Sequence, residues 1–575
     1  MPSSLATLRR VTCRARRSSS TLAAVAATLA VAGCSSGGSG ESGDADGEPR
    51  KGGTALVAMT QEPGGMNPLF NDQSGSFLSF WAQEPLFVAR PDGSFDPVLA
   101  AELPSADNGG VSKDGRTVTF KLRDGVTWSD GKPFSAEDVK FTFEVIQDPK
   151  STALPPSAYD LVESVEVVDD LTARVRMSKP NPYFLGLFQQ VLPKHKFDST
   201  AVTTDHPQTR LPLGTGPFVF EEFNEGDKIV LKRNEDYWNK TERPVRLDGI
   251  TLKITPDAQS AISSFQRGEF DTVFFVTSGD LPDLTEARDN GAPIEVTVQE
   301  TRSHVEWLWL NQSDNGDHSR PHPVLGDPAM REAIDVGIDR KAVIDQVLDG
   351  FATLNGSVFY SGFGATEVPV APFDPERANQ ILDAAGWDRG GDGIRAKDGV
   401  RASLRFQTVT GDQTRELYQQ LVQQNLEDIG IQVKINNVPS NLMFGTYQEG
   451  GRLARGNYDI MMSRDGYVVD PLEEGWAANF TCAEVPSKDN PGGQSETHWC
   501  NREYDALVKQ AAESVDQEER KELYAQAARL LARERPALSL YSSTWGWTWS
   551  SRLKGVSKDY FDGIWRSAHD WYLAG

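Results

Sequence analysis

Residues arranged for catalysis or metal binding are few in this sequence. It contains no Gly-x-Ser-x-Gly nucleophile elbow, no His-Glu-x-x-His zinc motif and no phosphate-binding loop with a lysine. The stretch GWDRGGDGIRAKDG is acidic and glycine-rich, as calcium loops are. Counted from Asp388, however, Gly390 and Gly399 stand at the third and twelfth positions, where an EF-hand needs oxygen ligands. We therefore expect a surface turn there, and we predict no metal site, no cofactor and no enzymatic activity.

Cys34 has the most specific chemical context. Residues 22–32 are apolar but too few to span a bilayer, which takes about 20 residues. The segment before them has no acidic residue and five arginines: Arg9, Arg10, Arg14, Arg16 and Arg17. The sequence VAGC resembles the bacterial lipoprotein signal, in which the peptidase cleaves before the cysteine and the thiol carries the lipid. We predict a signal peptide over residues 1–33, lipidation of Cys34 and a flexible tether over residues 34–51. A secretory signal with an incidental cysteine is the alternative.

Charge and cysteine content agree with export. The formal net charge of −24 becomes −29 when the five signal-peptide arginines leave. Such an acidic protein is a poor partner for nucleic acid or another polyanion. Once Cys13 has left and Cys34 is lipidated, Cys482 and Cys500 remain, and in an oxidising compartment this pair predicts a disulfide. A zinc site would need more ligands than His498 supplies.

The elements that would position any site alternate along the chain. Helix starts are predicted at Asp374 before a proline, at Ser135 with Asp138, and at Ser514 with Gln517. Alternating apolar residues predict strands in RTVTFKL and GITLKI, and SVEVVDDLTARVRM predicts two strands joined by a turn. Helices and strands mix throughout, so the predicted fold class is α/β.

Two stretches concentrate tryptophan. In TWGWTWS, Trp545, Trp547 and Trp549 fall on one face of an extended strand, and in VEWLWLNQ, Trp307 and Trp309 do the same. One interpretation is a large core with both faces of the strands packed. The other is the wall of a ligand cleft, where aromatic faces meet the solute.

Seven stretches, taken in order from residue 52, carry a resemblance to one protein family. They are GGTALVAMTQEPGGMNPL, GRTVTFKLRDGVTWSDGKPFSAEDVKFTFE, LGTGPFVFEEFNEGDKIVLKRNEDYW, DPAMREAIDVGIDRKAVIDQVL, FDPERANQILDAAGWDRGGDGIR, NLEDIGIQVKI and NYDIMMSRDGYVVDP. The family they resemble is the extracytoplasmic substrate-binding proteins of peptide and nickel ABC importers, of the dipeptide- and oligopeptide-binding kind. The stretches cover nearly all of the sequence after the tether.

The resemblance implies a two-lobed periplasmic-binding-protein fold of the hinged type II, with an extra subdomain in the first lobe. Lobe one would comprise residues 52–84, 213–304 and 541–575, with the subdomain at 85–212 and lobe two at 305–540. A ligand would sit between the lobes, and contacts made by both lobes would favour the closed form.

The resemblance also implies ligand-binding residues. It places the loop of Asn71, Asp72, Gln73 and Ser74 beside the ligand, and Tyr159 and Tyr541 near tyrosines that face the cleft. Peptide binders commonly have Trp-x-x-Asp, whose aspartate pairs with the peptide ammonium, where this sequence has MSRDGYVVDP. Asp465 and Tyr467 compete for that aspartate's place, and with Tyr467 there the charge partner would be missing. The resemblance also supports the disulfide of Cys482 with Cys500.

These features predict a lipid-anchored, monomeric substrate-binding protein outside the cytoplasmic membrane. It would capture peptides, most simply oligopeptides, and deliver them to an ABC permease and its ATPase. An oligosaccharide or a nickel chelate as ligand, and a surface sensor without transport, are the alternatives.

Overall fold

The computed structural model describes residues 51–70, 78–154, 157–274, 276–467, 469–472, 475–558 and 563–574. The predicted signal peptide, Cys34, the tether up to residue 50 and the predicted ligand loop lie outside these residues. That loop comprises Asn71, Asp72, Gln73 and Ser74.

Strands occur along the whole described sequence. From the N-terminus onward they are β1 (Thr54–Met59), β2 (Phe87–Ala89), β3 (Phe95–Pro97), β4 (Thr117–Lys121), β5 (Val162–Asp169), β6 (Thr172–Met177), β7 (Phe218–Asn224), β8 (Lys228–Arg233), β9 (Gly249–Ile254), β10 (Thr272–Phe274), β11 (Ile294–Leu310), β12 (Ser313–Asp314), β13 (Asp317–Pro321), β14 (Ala352–Thr353), β15 (Asp388–Arg389), β16 (Arg395–Lys397), β17 (Val400–Arg401), β18 (Ser403–Gln407), β19 (Gln432–Ile435), β20 (Ile460–Asp465), β21 (Ala537–Ser550), β22 (Leu553–Lys554) and β23 (Tyr572–Leu573). The predicted strands in RTVTFKL, GITLKI and SVEVVDDLTARVRM are confirmed as β4, β9 and the β5–β6 pair.

One large sheet organises the fold. Its strand order is β19-β18-β20-β11-β21-β10-β1-β9-β8-β7, and β14 adds to β21. Parallel pairs lie in both halves of the sheet, β18 with β19 and β20 in one and β1 with β9 and β10 in the other. The long strands β11 and β21 are antiparallel neighbours at the centre and join the two halves. Their pairing shifts register between Glu300 and Val305.

Helices cover both halves of the sheet. The described α-helices are Ala136–Gln147, Pro207–Arg210, Ala258–Gln266, Leu281–Asp289, Pro328–Gly337, Arg340–Val347, Pro375–Ala384, Gln413–Asp428, Ser440–Met443, Arg502–Glu513 and Gln517–Glu534. The mixed α/β class predicted from the sequence is confirmed.

Helix caps explain where several of these helices begin. The Asp374 carboxylate accepts the Arg377 backbone N–H at 2.8 Å, as predicted. The prediction that Ser514 begins a helix is wrong. Ser514 ends the preceding helix, and Asp516 caps Gln517–Glu534 by accepting the Glu519 N–H at 3.0 Å. An aspartate next to the first turn competes well with a more distant serine for the free N–H groups.

The cores lie on both faces of the sheet. Along β11, Leu308 and Leu310 pack in one buried cluster, and Trp307 and Trp309 pack in another on the opposite face. For this tryptophan pair, the core interpretation is confirmed. Within residues 85–212, a three-stranded sheet of order β4-β6-β5 packs on the helix Ala136–Gln147 around a separate core.

Cys482 and Cys500 form a disulfide. The segment GWDRGGDGIRAKDG forms the hairpin of β15 and β16, and β17 pairs along β16. In the described part of the protein, no helix has the length and apolar composition that crossing a membrane requires. Nor do the described residues gather three or more His, Cys, Asp or Glu side chains as a metal site would.

Candidate ligand site between the two halves of the sheet

A cavity of about 280 Å³ lies where the two halves of the large sheet meet. Val276 and Thr277, which follow β10, line it from the first half, and Arg415 and Arg464 line it from the second. Tyr541 lines it from β21, which both halves share. Small ligands bind preferentially in clefts between structural units where a few polar groups converge. This cavity is therefore the candidate ligand site.

Three adjacent strands place a row of side chains on the cavity wall. Glu306 of β11 lies opposite Arg464 of β20 on one side and opposite Tyr541 of β21 on the other. Directly paired residues of neighbouring strands project from the same face of a sheet. The register therefore brings the three side chains together, and all three line the cavity.

Glu306 is held by Arg415. The Glu306 side chain is only 1% exposed, and Arg415 donates to it through Nε at 2.7 Å and Nη2 at 3.2 Å, one bond to each carboxylate oxygen. Arg415 lies in the first turn of the helix Gln413–Asp428, whose capping Asp412 accepts its backbone N–H at 3.1 Å. The helix start thus fixes a bidentate ion pair, the strongest geometry for arginine and carboxylate.

Burial sets the electrostatics of this pair. It raises the pKa of Glu306 above the ordinary value, and the charges of Arg415 and Arg464 oppose that shift. Arg464 is the more distant of the two, with Nε 3.8 Å from Glu306 Oε2. Arg415 is therefore the principal partner that keeps the buried carboxylate compensated.

Aromatic rings form another part of the wall. Trp545 and Trp547 line the cavity in an edge-to-face pair with ring centroids 6.0 Å apart. Tyr541 stacks on Tyr418 with centroids 5.7 Å apart, and burial raises its pKa, so the phenol stays neutral. Of the tryptophans of β21, Trp545 and Trp547 line the cavity, and Trp547 also belongs to a buried core cluster against which Trp545 and Trp549 pack.

Asp465, the predicted ammonium anchor, is the last residue of β20. Neighbouring strand residues point to opposite faces, so Asp465 faces away from the side that Arg464 occupies. Its Oδ1 accepts the Gly466 N–H at 2.8 Å, and its backbone carbonyl accepts the Trp307 indole N–H at 3.0 Å. Burial, and secondly the charge of Asp465, raise the pKa of Glu496 well above the ordinary value. Asp465 thus lies in electrostatic range of a second carboxyl group and outside the cavity lining.

Tyr467, the alternative to Asp465, lies in the same buried cluster as Trp307 and stacks on Trp476 with ring centroids 6.2 Å apart. Its hydroxyl donates to the Ser361 carbonyl at 2.6 Å and accepts the Ser361 N–H at 3.2 Å. Burial raises its pKa well above the ordinary value. In this structure the hydroxyl therefore acts as a donor and as an acceptor toward the protein's own backbone.

Tyr159 lies in the core of the 85–212 segment. It is 3% exposed, and its hydroxyl accepts the Phe188 N–H at 2.8 Å. Of the predicted site residues that the structure describes, Tyr541 lines the cavity, and Tyr159, Asp465 and Tyr467 do not.

Glu306, Arg415 and Arg464 were not predicted from the sequence. Glu306 did carry a signal, since it is the charged residue in the otherwise apolar VEWLWL, and an acid buried in a strand needs a partner. The partner could not be read from the sequence, because Arg415 is 109 positions further along.

Comparison with known proteins shows which family this chain resembles in sequence. The family model "Bacterial extracellular solute-binding proteins, family 5 Middle" matches residues 95–486. The oligopeptide-binding protein AppA of Bacillus subtilis (strain 168) is 27% identical over 514 residues, which cover 86% of this chain and 87% of AppA. The nickel-binding periplasmic protein of Escherichia coli (strain K12) is 26% identical over 394 residues, covering 67% of this chain and 71% of that protein.

A solved structure shows the same fold. The ABC transporter substrate-binding protein CtaP from Listeria monocytogenes matches with a TM-score of 0.74 and 23% identity, over 92% of this chain and 100% of CtaP.

Two sheet halves joined by two long strands around a cavity define the class of two-lobed binding proteins. Because the family model covers more than half of the sequence, the chain belongs to the bacterial extracellular solute-binding proteins of family 5. It is an extracytoplasmic binding protein for a solute.

Proposed function

We propose that this protein is the lipid-anchored substrate-binding component of an ABC importer and that it captures peptides between two lobes. The observation that carries the proposal is the cavity, which is lined from both halves of the sheet and by the strand that joins them. A peptide ligand is supported by the similarity to a protein named for oligopeptide binding.

Closure would follow from the way the halves are joined. Lobe one would comprise residues 52–84, 213–304 and 541–575 with the subdomain at 85–212, and lobe two residues 305–540. The proposed junctions fall on β11 and β21, next to the register shift between Glu300 and Val305. Irregular pairing there offers backbone that can absorb a hinge rotation, and a ligand touching both lobes favours the closed state.

The proposed anchor on Cys34 would keep the protein near its permease. Two or more acyl chains hold a protein stably at a membrane, and the tether over residues 34–51 would leave the lobes free to turn. Confinement raises the effective concentration of the loaded protein at the permease. In a Cys34→Ala variant, the full-length protein should move from the membrane fraction to the soluble fraction.

The test of the peptide proposal is to identify what the cleft retains. Full-length protein purified without unfolding and analysed by native mass spectrometry should show bound peptides. If the cleft retained a saccharide or a nickel chelate and no peptide, the peptide assignment would be overturned. A strain lacking the protein should lose uptake of the retained peptide, and undiminished uptake would favour the sensor function.

Two neighbouring positions offer a matched pair of variants. Thr414 and Gln413 are both exposed at the start of the helix Gln413–Asp428, but only Thr414 lines the cavity. Thr414→Trp should fill the site and abolish ligand retention, whereas Gln413→Trp should retain ligand as the wild type does. Equal retention by the two variants would mean that the solute binds elsewhere.

A further inference from the structure

A second cavity, of about 230 Å³, lies on the opposite face of the two central strands, and we call it the rear cavity. Trp307 of β11 and Ser539 of β21 line it, and these two residues are direct partners in the strand pairing. Glu306, which lines the ligand cavity, precedes Trp307 on β11, and adjacent strand residues point to opposite faces. The ligand cavity and the rear cavity therefore lie back to back on the same pair of strands.

The charged side chains that line the rear cavity carry one positive charge in excess. Among the described residues they are Asp335, Arg340 and Arg535. Arg340 Nη2 donates to Asp335 Oδ1 at 2.7 Å, and Arg535 Nε donates to Asp335 Oδ2 at 2.9 Å. Each oxygen of the carboxylate is therefore engaged, and two guanidinium groups share a single counter-charge.

Arg535 and Ser539 keep hydrogen-bonding capacity that the protein does not use. Arg535 Nη1 donates to the Arg533 carbonyl at 3.0 Å, whereas no described residue accepts a hydrogen bond from Arg535 Nη2. The Arg535 side chain is 23% exposed. Arg340, in contrast, is 4% exposed and donates through all three of its side-chain nitrogens. Among the described residues, the buried Ser539 Oγ has no hydrogen-bond partner, and gaining one would stabilise it.

The remaining walls of the rear cavity are mostly apolar. The side chains that form them include Trp307, Val358, Val368, Val370, Leu531 and Leu538. Pro369 and Pro372 also line the cavity and are exposed, so this wall borders on solvent. Asn355, the remaining polar side chain of the lining, uses both ends of its amide on the Ser357 backbone. A solute in this cavity would therefore have its apolar part covered on several sides.

We propose that the rear cavity is a second solute site and that it binds a small carboxylate with an apolar body, such as an aromatic or branched aliphatic acid. The carboxylate would accept a hydrogen bond from Arg535 Nη2 and a second one from Ser539 Oγ, once rotation about χ1 turns the hydroxyl to the cavity. It would offset the excess positive charge, and charge-assisted hydrogen bonds are the stronger ones. Burial of the apolar body adds to the affinity. This inference is independent of the proposed peptide function.

The probes for the test differ in one group each. 3-Phenylpropionate has the carboxylate, 3-phenylpropanamide replaces it with a neutral amide, and phenylalanine adds an ammonium group. In isothermal titration calorimetry with the full-length protein, the wild type should bind the acid about tenfold more tightly than the amide. Phenylalanine should bind no better than the amide, because both oxygens of Asp335 are already engaged. Equal affinity for acid and amide, or no binding of the acid, would overturn the proposal.

Two buried serines of β21 provide a matched pair of variants. Ser539 and Ser542 both have an Oγ without a hydrogen-bond partner among the described residues, but only Ser539 lines the rear cavity. Ser539→Ala should weaken binding of the acid about threefold to tenfold, and Ser542→Ala should leave it unchanged. Arg535→Gln should abolish the preference for the acid over the amide. Wild-type affinity in both Ser539→Ala and Arg535→Gln would contradict the proposed contacts and overturn the site.

Variants that fill one cavity at a time locate the bound acid. Ala371 lines the rear cavity, whereas Ala365 is exposed and does not. Ala371→Trp should abolish binding of the acid and still retain peptide, and Ala365→Trp should behave as the wild type. Thr414→Trp, which fills the ligand cavity, should bind the acid normally. Loss of the acid in Thr414→Trp with retention in Ala371→Trp would place it in the ligand cavity and overturn the proposal, whatever the outcome for peptides.

Discussion

The pair of Glu306 and Arg415 supports the wall of the cavity, and removing Arg415 tests that support. Arg415→Met keeps most of the side-chain volume and deletes the guanidinium. Glu306, at 1% exposure, then loses both of its hydrogen bonds from Arg415, of 2.7 and 3.2 Å. A buried carboxylate is left without its main counter-charge.

The magnitude follows from the contacts that remain. Removing one partner of a buried ion pair costs about 3 to 5 kcal/mol. Arg464 lies 3.8 Å from Glu306 and can turn toward it, so we expect the lower end of this range. The expected loss is about 3 kcal/mol, roughly a hundredfold in the folding equilibrium.

Urea unfolding followed by tryptophan fluorescence measures the loss, and a double variant isolates its cause. Arg415→Met with Glu306→Leu removes both charges, so its stability should lie within about 1 kcal/mol of the wild type. Arg529→Met removes an exposed arginine whose Nη1 is 3.6 Å from Glu522. It should change stability by less than about 0.5 kcal/mol.

The loss of folding stability in Arg415→Met should also depend on pH. Burial raises the pKa of Glu306, and loss of Arg415 raises it further. A carboxyl group with a raised folded pKa favours folding below its unfolded pKa, about 4.3, and loses that contribution as the pH rises. The deficit should therefore be largest near pH 7 and shrink toward pH 4.5. The reasoning would be refuted if Arg415→Met lost less than about 1 kcal/mol of stability. It would also be refuted if the double variant lost as much stability as Arg415→Met and Glu306→Leu lose in sum.

Three further perturbations test residues between β20 and β21, outside the strands of the large sheet. Replacing Cys482 and Cys500 with alanine opens a cross-link between residues 18 positions apart. It should cost about 3 kcal/mol in urea unfolding, and a reductant should then lower the melting temperature of the wild type only. Tyr467→Phe removes two hydrogen bonds to the Ser361 backbone and should cost about 1 to 2 kcal/mol, with peptide affinity unchanged; a larger loss of affinity than of stability would put Tyr467 at the ligand. Burial lowers the pKa of His498 to about 4, so its stabilising contribution is complete above about pH 6.5 and is lost as the pH falls toward 4. His498→Gln should make the acid-induced loss of stability shallower, and an unchanged slope would contradict this origin.

Local patterns in the sequence predicted the elements because their causes are local. The alternation in VEWLWL separates Trp307 and Trp309 from Leu308 and Leu310, and these pairs pack on opposite faces of β11. Asp374 caps its helix because the next residues offer free N–H groups. The two-lobed fold itself came from the family resemblance, since strands as far apart as β11 and β21 pair through no local signal.

Site residues were harder to predict, because which side chains face the cavity depends on contacts between distant segments. Tyr159 has an aromatic ring and a hydroxyl suited to a cleft, yet that hydroxyl accepts the Phe188 backbone N–H in the core formed within residues 85–212. Tyr467 is engaged in the same way by Ser361. In contrast, Arg415 lines the cavity because a helix begins beside the strand that carries Glu306, an arrangement that neither stretch reveals alone.

The register of β20 against β11 decides which charge the cavity presents. Arg464 and Asp465 are adjacent, so they lie on opposite faces, and the observed pairing puts Arg464 opposite Glu306. A slip of one residue would put Asp465 there instead, with two carboxylates directly opposed across the strands, which is destabilising. Glu306 therefore favours the register that places a cation, rather than an anion, on the cavity wall. For this reason a change at Glu306 would alter the charge that the cavity wall presents as well as the stability of the fold.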